Sequence, residues 1–494
     1  MPKSKNNVRT RFAPSPTGYL HIGGLRTALY SYLLAKQNNG TYILRIEDTD
    51  QERFVPGAVE KLISSLNNFN LASDEGVLLD GDQVTSRGDC GPYIQSQKIA
   101  HYKTTAEKLV AEDKAYYCFC TEERIEQLRE NQRANKQVPK YDGYCRNIEP
   151  SEASKRLKMG EKAVIRYKTS PNQEVVCNDK IYGKIVVKTD DIDDFIILKS
   201  DTFPTYHLAN VIDDHDMKIT HVIRGEEWLP SLPKHVLLYQ ALGYEMPEFV
   251  HLPLLLNPDR SKLSKRQGDV AAEDFLQHGY LPQALVNYVA LLGWNPGTEQ
   301  EIFSLEELVK EFSIDKINKS GAIFDRQKLD WFNAEYIRQI FNTKNDQYAQ
   351  LLSIAKKYLP QHEDRVEDIL KLFSSRINKL EELTELANFL WQLPDYDKEK
   401  IVFKKSTLDN TKKGLQLTHD SLNTTTLDWT AENLNKILQD IVSNNHLTPG
   451  DVFWPVRFAL SGLDKSPSPV EILEFLGKEE SIKRLALAQT KLSQ

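Results

Sequence analysis

The chain has 494 residues, 63 basic and 70 acidic, for a net charge of −7. At roughly 100–200 residues per domain this length predicts three or four domains, and an apolar share of 40% with 9% aromatic residues excludes a disordered chain. No apolar run is long enough for a membrane-spanning helix, and five cysteines exclude a disulfide scaffold and fit a reducing cytoplasm. The start, 1–7, is polar with no apolar stretch behind it, so no secretory signal is expected. Mild acidity argues against bulk coating of nucleic acid but leaves room for a local basic groove.

In chain order, 8–12 alternates and predicts a strand. Pro14, Pro16 and Gly18 then break both ladder and helix. Over 22–36, Leu25, Ala28, Leu29, Tyr32 and Leu33 fall at helical spacing, and 42–46 is a short apolar strand. Strand, tight loop, helix, strand is the opening of a parallel α/β sheet. The stretch 90–204 holds all five cysteines, a charged helical run at 121–135 and strand-like pieces at 163–168, 184–187 and 195–198. It reads as an insertion between two halves of the sheet, with α/β patterning resuming over 206–223. A helix over 282–292 opens on Pro282 and stops at Gly293, and Ser304 with Glu307 forms a capping box. Beyond Trp331 the chain predicts helices at 366–380, 383–391, 434–442 and 472–476, with a junction inside the polar stretch 395–413.

Two segments carry chemistry. The run Arg11-Phe12-Ala13-Pro14-Ser15-Pro16-Thr17-Gly18-Tyr19-Leu20-His21-Ile22-Gly23-Gly24 leads from a strand into a helix. A helix N-terminus offers N–H groups and a positive dipole end to phosphate, and Gly23 and Gly24 allow close backbone approach. Taken alone, the run reads better as a proline-rich turn with a glycine-tolerant helix start. The second segment, Lys262-Leu263-Ser264-Lys265-Arg266, sets three cations within five residues. They suit a loop that stabilises charge on a departing pyrophosphate, although the same composition describes an ordinary basic surface loop. Neither a Gly-x-x-x-x-Gly-Lys-Ser/Thr loop nor a Gly-x-Gly-x-x-Gly fingerprint is present.

Together the two segments resemble the HIGH and KMSKS signatures of class I aminoacyl-tRNA synthetases. Arg45-Ile46-Glu47-Asp48-Thr49-Asp50, Tyr206 to His215, Val222 to Trp228, Asp451 to Arg457 and Phe475 to Lys478 resemble the bacterial glutamyl-tRNA synthetase family along essentially the whole chain. One departure is visible: the fourth HIGH position is Gly24, not histidine. The resemblance implies an α/β Rossmann-type catalytic domain with an α+β insertion, followed by an all-helical anticodon-binding region. The first catalytic half is placed at 1–90, an acceptor-binding insertion at 91–204 and the second catalytic half at 205–250. A stem-contact region spans 251–335, and helical anticodon-binding subdomains span 336–390 and 391–494.

The activity implied is ATP-dependent activation of L-glutamate and its transfer to tRNA-Glu in the cytoplasm, by a monomer that touches no membrane. The glutamate pocket then comprises Arg11, Ser15, Glu47, Tyr206, Asn210 and Arg224. The arginines grip the carboxylates and Glu47 pairs with the ammonium, although Arg11 and Glu47 could pair with each other in the empty enzyme. ATP falls to His21, Gly23, Glu227, the backbone of Leu255, Lys262 and Lys265, with Mg2+ carried on the phosphates. His21, Lys262 and Lys265 are the catalytic set. Cys118, Cys120 and Cys145 with Tyr141 resemble a zinc element of some relatives. With only three thiols, either zinc or three small half-buried cysteines fits. Arg376, expected inside a helix with apolar face Ile369, Leu370, Phe373 and Ile377, falls where members that discriminate tRNA-Glu from tRNA-Gln carry an arginine.

Three rival readings fit less well. A small-molecule adenylyltransferase has little need of the long helical extension. A catalytically dead RNA-binding relative would not keep both motifs. Glutaminyl-tRNA synthetase carries a β-barrel anticodon region.

Overall fold

The structure, a computed structural model, describes residues 8–53, 55–263 and 270–494, so Lys265 lies outside the described residues. The chain divides into two compact units. One ends at Leu276 and takes in Pro282–Arg326; the other comprises Gln277–Leu281 and Gln327–Gln494.

The first unit opens with β1 (Arg9–Phe12), the helix Ile22–Gln37 and β2 (Thr41–Leu44). Ile22, Leu25, Ala28, Leu29 and Leu33 of that helix are fully buried, which is why its apolar spacing is so regular. β2 runs parallel to β1 and to β3 (Glu75–Asp80), and β4 (Gln83–Arg87) closes this edge antiparallel. Next come β5 (Ala115–Cys118), β6 (Val164–Tyr167), β7 (Glu174–Asp179), β8 (Gly183–Lys188) and β9 (Ile196–Leu198). β5, β6 and β9 form a separate antiparallel sheet. The β7–β8 hairpin instead joins β10 (His221–Gly225) and β11 (Glu248–Leu252), which run parallel to each other and to β7. The Thr220 N–H donates to the Arg9 carbonyl at 2.9 Å and sets β10 beside β1. The chain thus leaves β1 on one side for β2 and β3 and returns on the other with β10 and β11. Such a reversal opens a crevice beyond the carboxyl ends of the strands, where ligands of α/β sheets bind.

The second unit is helical among its described residues, and two elements differ from the sequence expectation. The helix expected over 366–380 stops at Val366–Phe373, so Arg376 sits in the turn that follows rather than inside a helix. Ser374 and Ser375 are weak helix formers, and the chain beyond them is held by other partners. Asn333 Nδ2 donates to the Asn378 carbonyl at 2.6 Å, and the Leu380 N–H donates to the Gly279 carbonyl. The helix expected over 383–391 is a short α-turn, Leu383–Leu386, followed by the 3-10 turn Asn388–Leu390. Here the buried Arg484 guanidinium takes the Phe389 and Leu390 carbonyls at 2.7 and 3.2 Å. The last helix, Pro469–Ser493, breaks its regular geometry at Gly477, where φ is 75°. Only glycine adopts that conformation without strain.

Candidate active site

A cleft of about 790 Å³ opens at the reversal between β1 and β10. Arg11, Ser15, Glu47, Tyr206, Asn210 and Arg224 all line it, as do His21, Gly23, Glu227, Leu255 and Lys262. The structure therefore brings together every expected glutamate and ATP residue that it describes. Two backbone bonds shape the floor: the Arg45 N–H donates to the Phe12 carbonyl and the Glu47 N–H to the Pro14 carbonyl, both at 3.0 Å. They carry the β1–β2 ladder one step past the strands and fix the proline-rich loop above Glu47.

At the end of the cleft formed by the first helix, His21 is the N-cap of the helix Ile22–Gln37, and its Nδ1 accepts the Gly23 N–H at 3.0 Å. An accepting Nδ1 leaves the proton of a neutral ring on Nε2. Gly24 explains the departure from the HIGH pattern. A Cβ there would meet Leu20 Cδ1 at 3.1 Å and Phe12 Cζ at 3.7 Å, so a larger side chain would have to displace packed apolar atoms. Lys262 bridges to Leu256, and the Leu263 N–H donates to the Leu255 carbonyl at 2.9 Å. These bonds hold the described start of the basic segment at the cleft wall.

At the other end, Arg11 and Glu47 are both buried, and they do not pair with each other. Arg11 Nε–H donates to Asp214 Oδ1 at 3.0 Å and its Nη1 to the Ile223 carbonyl at 3.2 Å. Glu47 Oε1 accepts from Arg45 Nη2 at 3.1 Å and from Asn210 Nδ2 at 3.3 Å. Arg45, wholly buried, also donates to Asp214 Oδ1 at 2.7 Å. The expected alternative for the empty enzyme is therefore replaced by a network in which Asp214 serves both arginines. Burial pushes the Asp214 carboxyl up, but Arg11 and Arg45 together hold it below the usual carboxylate range. For Glu47 burial dominates, and its carboxyl lies above the usual range despite Arg45 and Arg11. Behind the network Asp213 accepts from Gln95, Lys98 and Tyr102 at 2.6–2.9 Å.

Arg224 is held differently. Its Nη1 donates to Tyr206 Oη at 3.0 Å and to His235 Nδ1 at 3.2 Å, and its Nε to His251 Nε2 at 3.0 Å. Sequence reasoning missed Arg45, Asp214, His235 and His251. A signal existed for the aspartate, since Asp213 and Asp214 follow Asn210 at helical spacing on one buried face of the helix Tyr206–Asp216. The two histidines lie in apolar runs and look like ordinary core residues.

The sequence matches the family described as tRNA synthetases class I (E and Q), catalytic domain, over residues 7–331, and the anticodon binding domain family over 348–489. The chain belongs to the class I synthetases for glutamate and glutamine. Among curated relatives, a glutamate–tRNA ligase of Finegoldia magna is 44% identical, covering 97% of this chain and 99% of its own length. One of Clostridium novyi is 45% identical, with 99% of each chain covered. A crystal structure of a glutamate tRNA ligase from Elizabethkingia meningosepticum in complex with its amino acid superposes with a TM-score of 0.88. It is 36% identical and covers 99% of this chain and 100% of that one.

Two expected features of this class I synthetase lie away from the cleft. Cys118, Cys120 and Cys145 bring their sulfurs within 4.8 Å of one another. Tyr141 Oη lies 3.3 Å from Cys118 Sγ and 3.5 Å from Cys120 Sγ, and Cys120 and Cys145 Sγ are 3.6 Å apart. Tetrahedral zinc with Zn–S bonds near 2.3 Å separates its sulfurs by about 3.8 Å, and these three separations are compatible with one such site. In the helical unit, Arg376 Nη2 donates to Glu471 Oε2 at 3.1 Å, with both side chains about one-third exposed.

Proposed function

We propose that the chain is a glutamate–tRNA ligase whose cleft activates L-glutamate with ATP and transfers it to the 3'-terminal adenosine of tRNA-Glu. The observation that carries this reading is the charge layout of one cleft: two buried arginines and one buried glutamate at one end, His21 and Lys262 at the other. Glutamate offers two carboxylates and an ammonium, the complement of that set. Arg11 and Arg224 grip the carboxylates, Glu47 receives the ammonium, and Tyr206, Asn210 and Ser15 add neutral bonds. His21, Gly23, Glu227, Leu255, Lys262 and Lys265 serve ATP.

In the first step a carboxylate oxygen of the glutamate α-carboxyl bonds to the α-phosphorus, and the bond to the β-phosphate oxygen breaks with release of pyrophosphate. In the second, a ribose hydroxyl of the terminal adenosine attacks the acyl carbon and AMP leaves. No protein nucleophile is needed, so the residues act by positioning and by stabilising charge. Magnesium travels with ATP on the phosphates and supplies further charge compensation there. Replacing Glu47 by glutamine tests the assignment: KM for glutamate rises while KM for ATP holds. An unchanged glutamate KM removes Glu47 from the pocket.

The insertion at 91–204 binds the acceptor end and the segment 251–335 contacts the stem. The subdomains at 336–390 and 391–494 read the anticodon. No helix among the described residues is long and apolar enough to cross a membrane, and we assign the enzyme to the cytoplasm as a monomer. The cysteine cluster fits zinc, with Cys118, Cys120, Cys145 and Tyr141 as donors, and zinc there would brace the insertion as a closed structural site. Metal analysis of chelator-free protein is then expected to give about one zinc per chain, and Cys118→Ser to lose it. Metal-free protein of undiminished stability leaves the cluster as three thiols.

The anticodons of tRNA-Glu and tRNA-Gln end in C and G. The Arg376 guanidinium can donate to O2 and N3 of cytosine, whereas guanine turns N–H donors toward it, and unstacked bases are read on their edges. Its pair with Glu471 is about one-third exposed and so cheaply exchanged for a base. Each wrong base is expected to cost about 1–3 kcal/mol, by analogy with groove readout. The enzyme should therefore prefer tRNA-Glu, and Arg376→Gln should narrow the preference. Equal charging of both tRNAs by the unmodified enzyme refutes this role.

A further inference from the structure

Arg224, like Arg26 elsewhere in the cleft wall, has no carboxylate among its hydrogen-bond partners; Arg26 gives its Nη1 and Nη2 to backbone carbonyls, whereas Arg224 is held by side chains. It stands on β10 directly opposite its register partner His251 on β11 and is only 5% exposed. Its Nε and Nη1 meet His251, His235 and Tyr206, and its Nη2 is buried with no partner. A buried guanidinium ordinarily has an anion beside it, as Arg11 and Arg45 have in Asp214.

A guanidinium has no acceptor, so each imidazole nitrogen facing Arg224 must be unprotonated. The outer contacts fix the two rings in that state. His251 Nδ1–H donates to Asp179 Oδ2 at 2.7 Å, which leaves Nε2 to accept from Arg224. His235 accepts at Nδ1, so its Nε2 carries the proton and donates to His207 Nδ1 at 3.1 Å. Burial and the neighbouring Arg224 keep His235 neutral, its pKa well below the ordinary histidine value. Burial likewise lowers His251, against the opposing pull of Asp179.

We propose that His235 and His251, locked by His207 and Asp179, are positioning residues for amino-acid recognition: they aim the Arg224 fork with neutral acceptors and so leave its charge to be balanced by a substrate carboxylate. A carboxylate placed where either imidazole sits would satisfy the same N–H groups but neutralise the cation, and the preference for a charged substrate over its amide would fall. The inference rests on Arg224 gripping glutamate, as proposed above.

The test compares two amides at position 251 in the full-length enzyme, assayed by charging of tRNA-Glu. The glutamine oxygen of His251→Gln can stand where Nε2 stands and accept from Arg224. The asparagine of His251→Asn is too short to reach Arg224 yet can still donate to Asp179. His251→Asn is expected to raise the glutamate KM at least about tenfold, with KM for ATP within about threefold of wild type, and His251→Gln to keep both near wild type. At His235 the order reverses, because asparagine mimics Nδ1: His235→Asn keeps the glutamate KM and His235→Gln raises it. Arg224→Ala separates the two layers. If it leaves the glutamate KM unchanged, the assignment of Arg224 itself fails. If it raises that KM but the amide pairs do not differ, Arg224 stands and the histidine cradle is overturned. Parallel loss of glutamate and ATP affinity in both amides also overturns it. Should either residue-251 variant fail to fold, the residue-235 pair decides on the same criterion.

Discussion

Lys265→Ala is expected to slow glutamyl-adenylate formation by about 10²–10³-fold, the usual cost of losing one donor aimed at developing charge. Its ammonium belongs to the basic segment that starts at the cleft wall, where Lys262 is bridged to Leu256. Negative charge builds on the leaving pyrophosphate only as the α-phosphorus bond breaks. The loss therefore falls on the chemical step, and tRNA binding stays close to wild type. Single-turnover adenylate formation with tRNA present reads the step directly. Near wild-type turnover removes Lys265 from the catalytic set.

Asp214→Ala should be the most destabilising single change in the cleft. The carboxylate is fully buried and accepts from both Arg11 and Arg45. Its removal leaves two guanidinium groups in the interior without their shared anion, a loss of about 3–5 kcal/mol for a broken buried pair. Because the penalty lies in the orphaned charge, adding Arg45→Met should recover part of it, a non-additivity expected of groups in one network. Urea unfolding of the three proteins measures both effects. A shift of less than about 1 kcal/mol in Asp214→Ala contradicts the network's role.

The opening of the fold was readable because its signals are local. Apolar spacing over 22–36 gives a helix, and the prolines and Gly18 give the loop that becomes the cleft. The C-terminal helix ends were less readable because distant partners decide them. Asn333 captures the Asn378 carbonyl and Arg484 those of Phe389 and Leu390, and no helix periodicity encodes such captures. The pocket residues were reached through resemblance to a family, and the structure gathers those it describes into one cleft. What supports them was not readable. Asp214 lies 169 residues from Arg45 in sequence yet bonds to it at 2.7 Å. His235 and His251 have the surroundings of core residues, and only the fold brings the first, from the helix Leu232–Leu242, and the second, from β11, to Arg224 on β10.

The most direct test of the account is ATP-dependent charging of purified tRNA-Glu by the full-length chain, with labelled glutamate and labelled glutamine supplied separately at equal concentration. A cleft that balances buried guanidinium charge with a substrate carboxylate attaches glutamate, in a reaction that requires ATP, and leaves glutamine unattached. Comparable loading of glutamine, or no loading of glutamate, contradicts it.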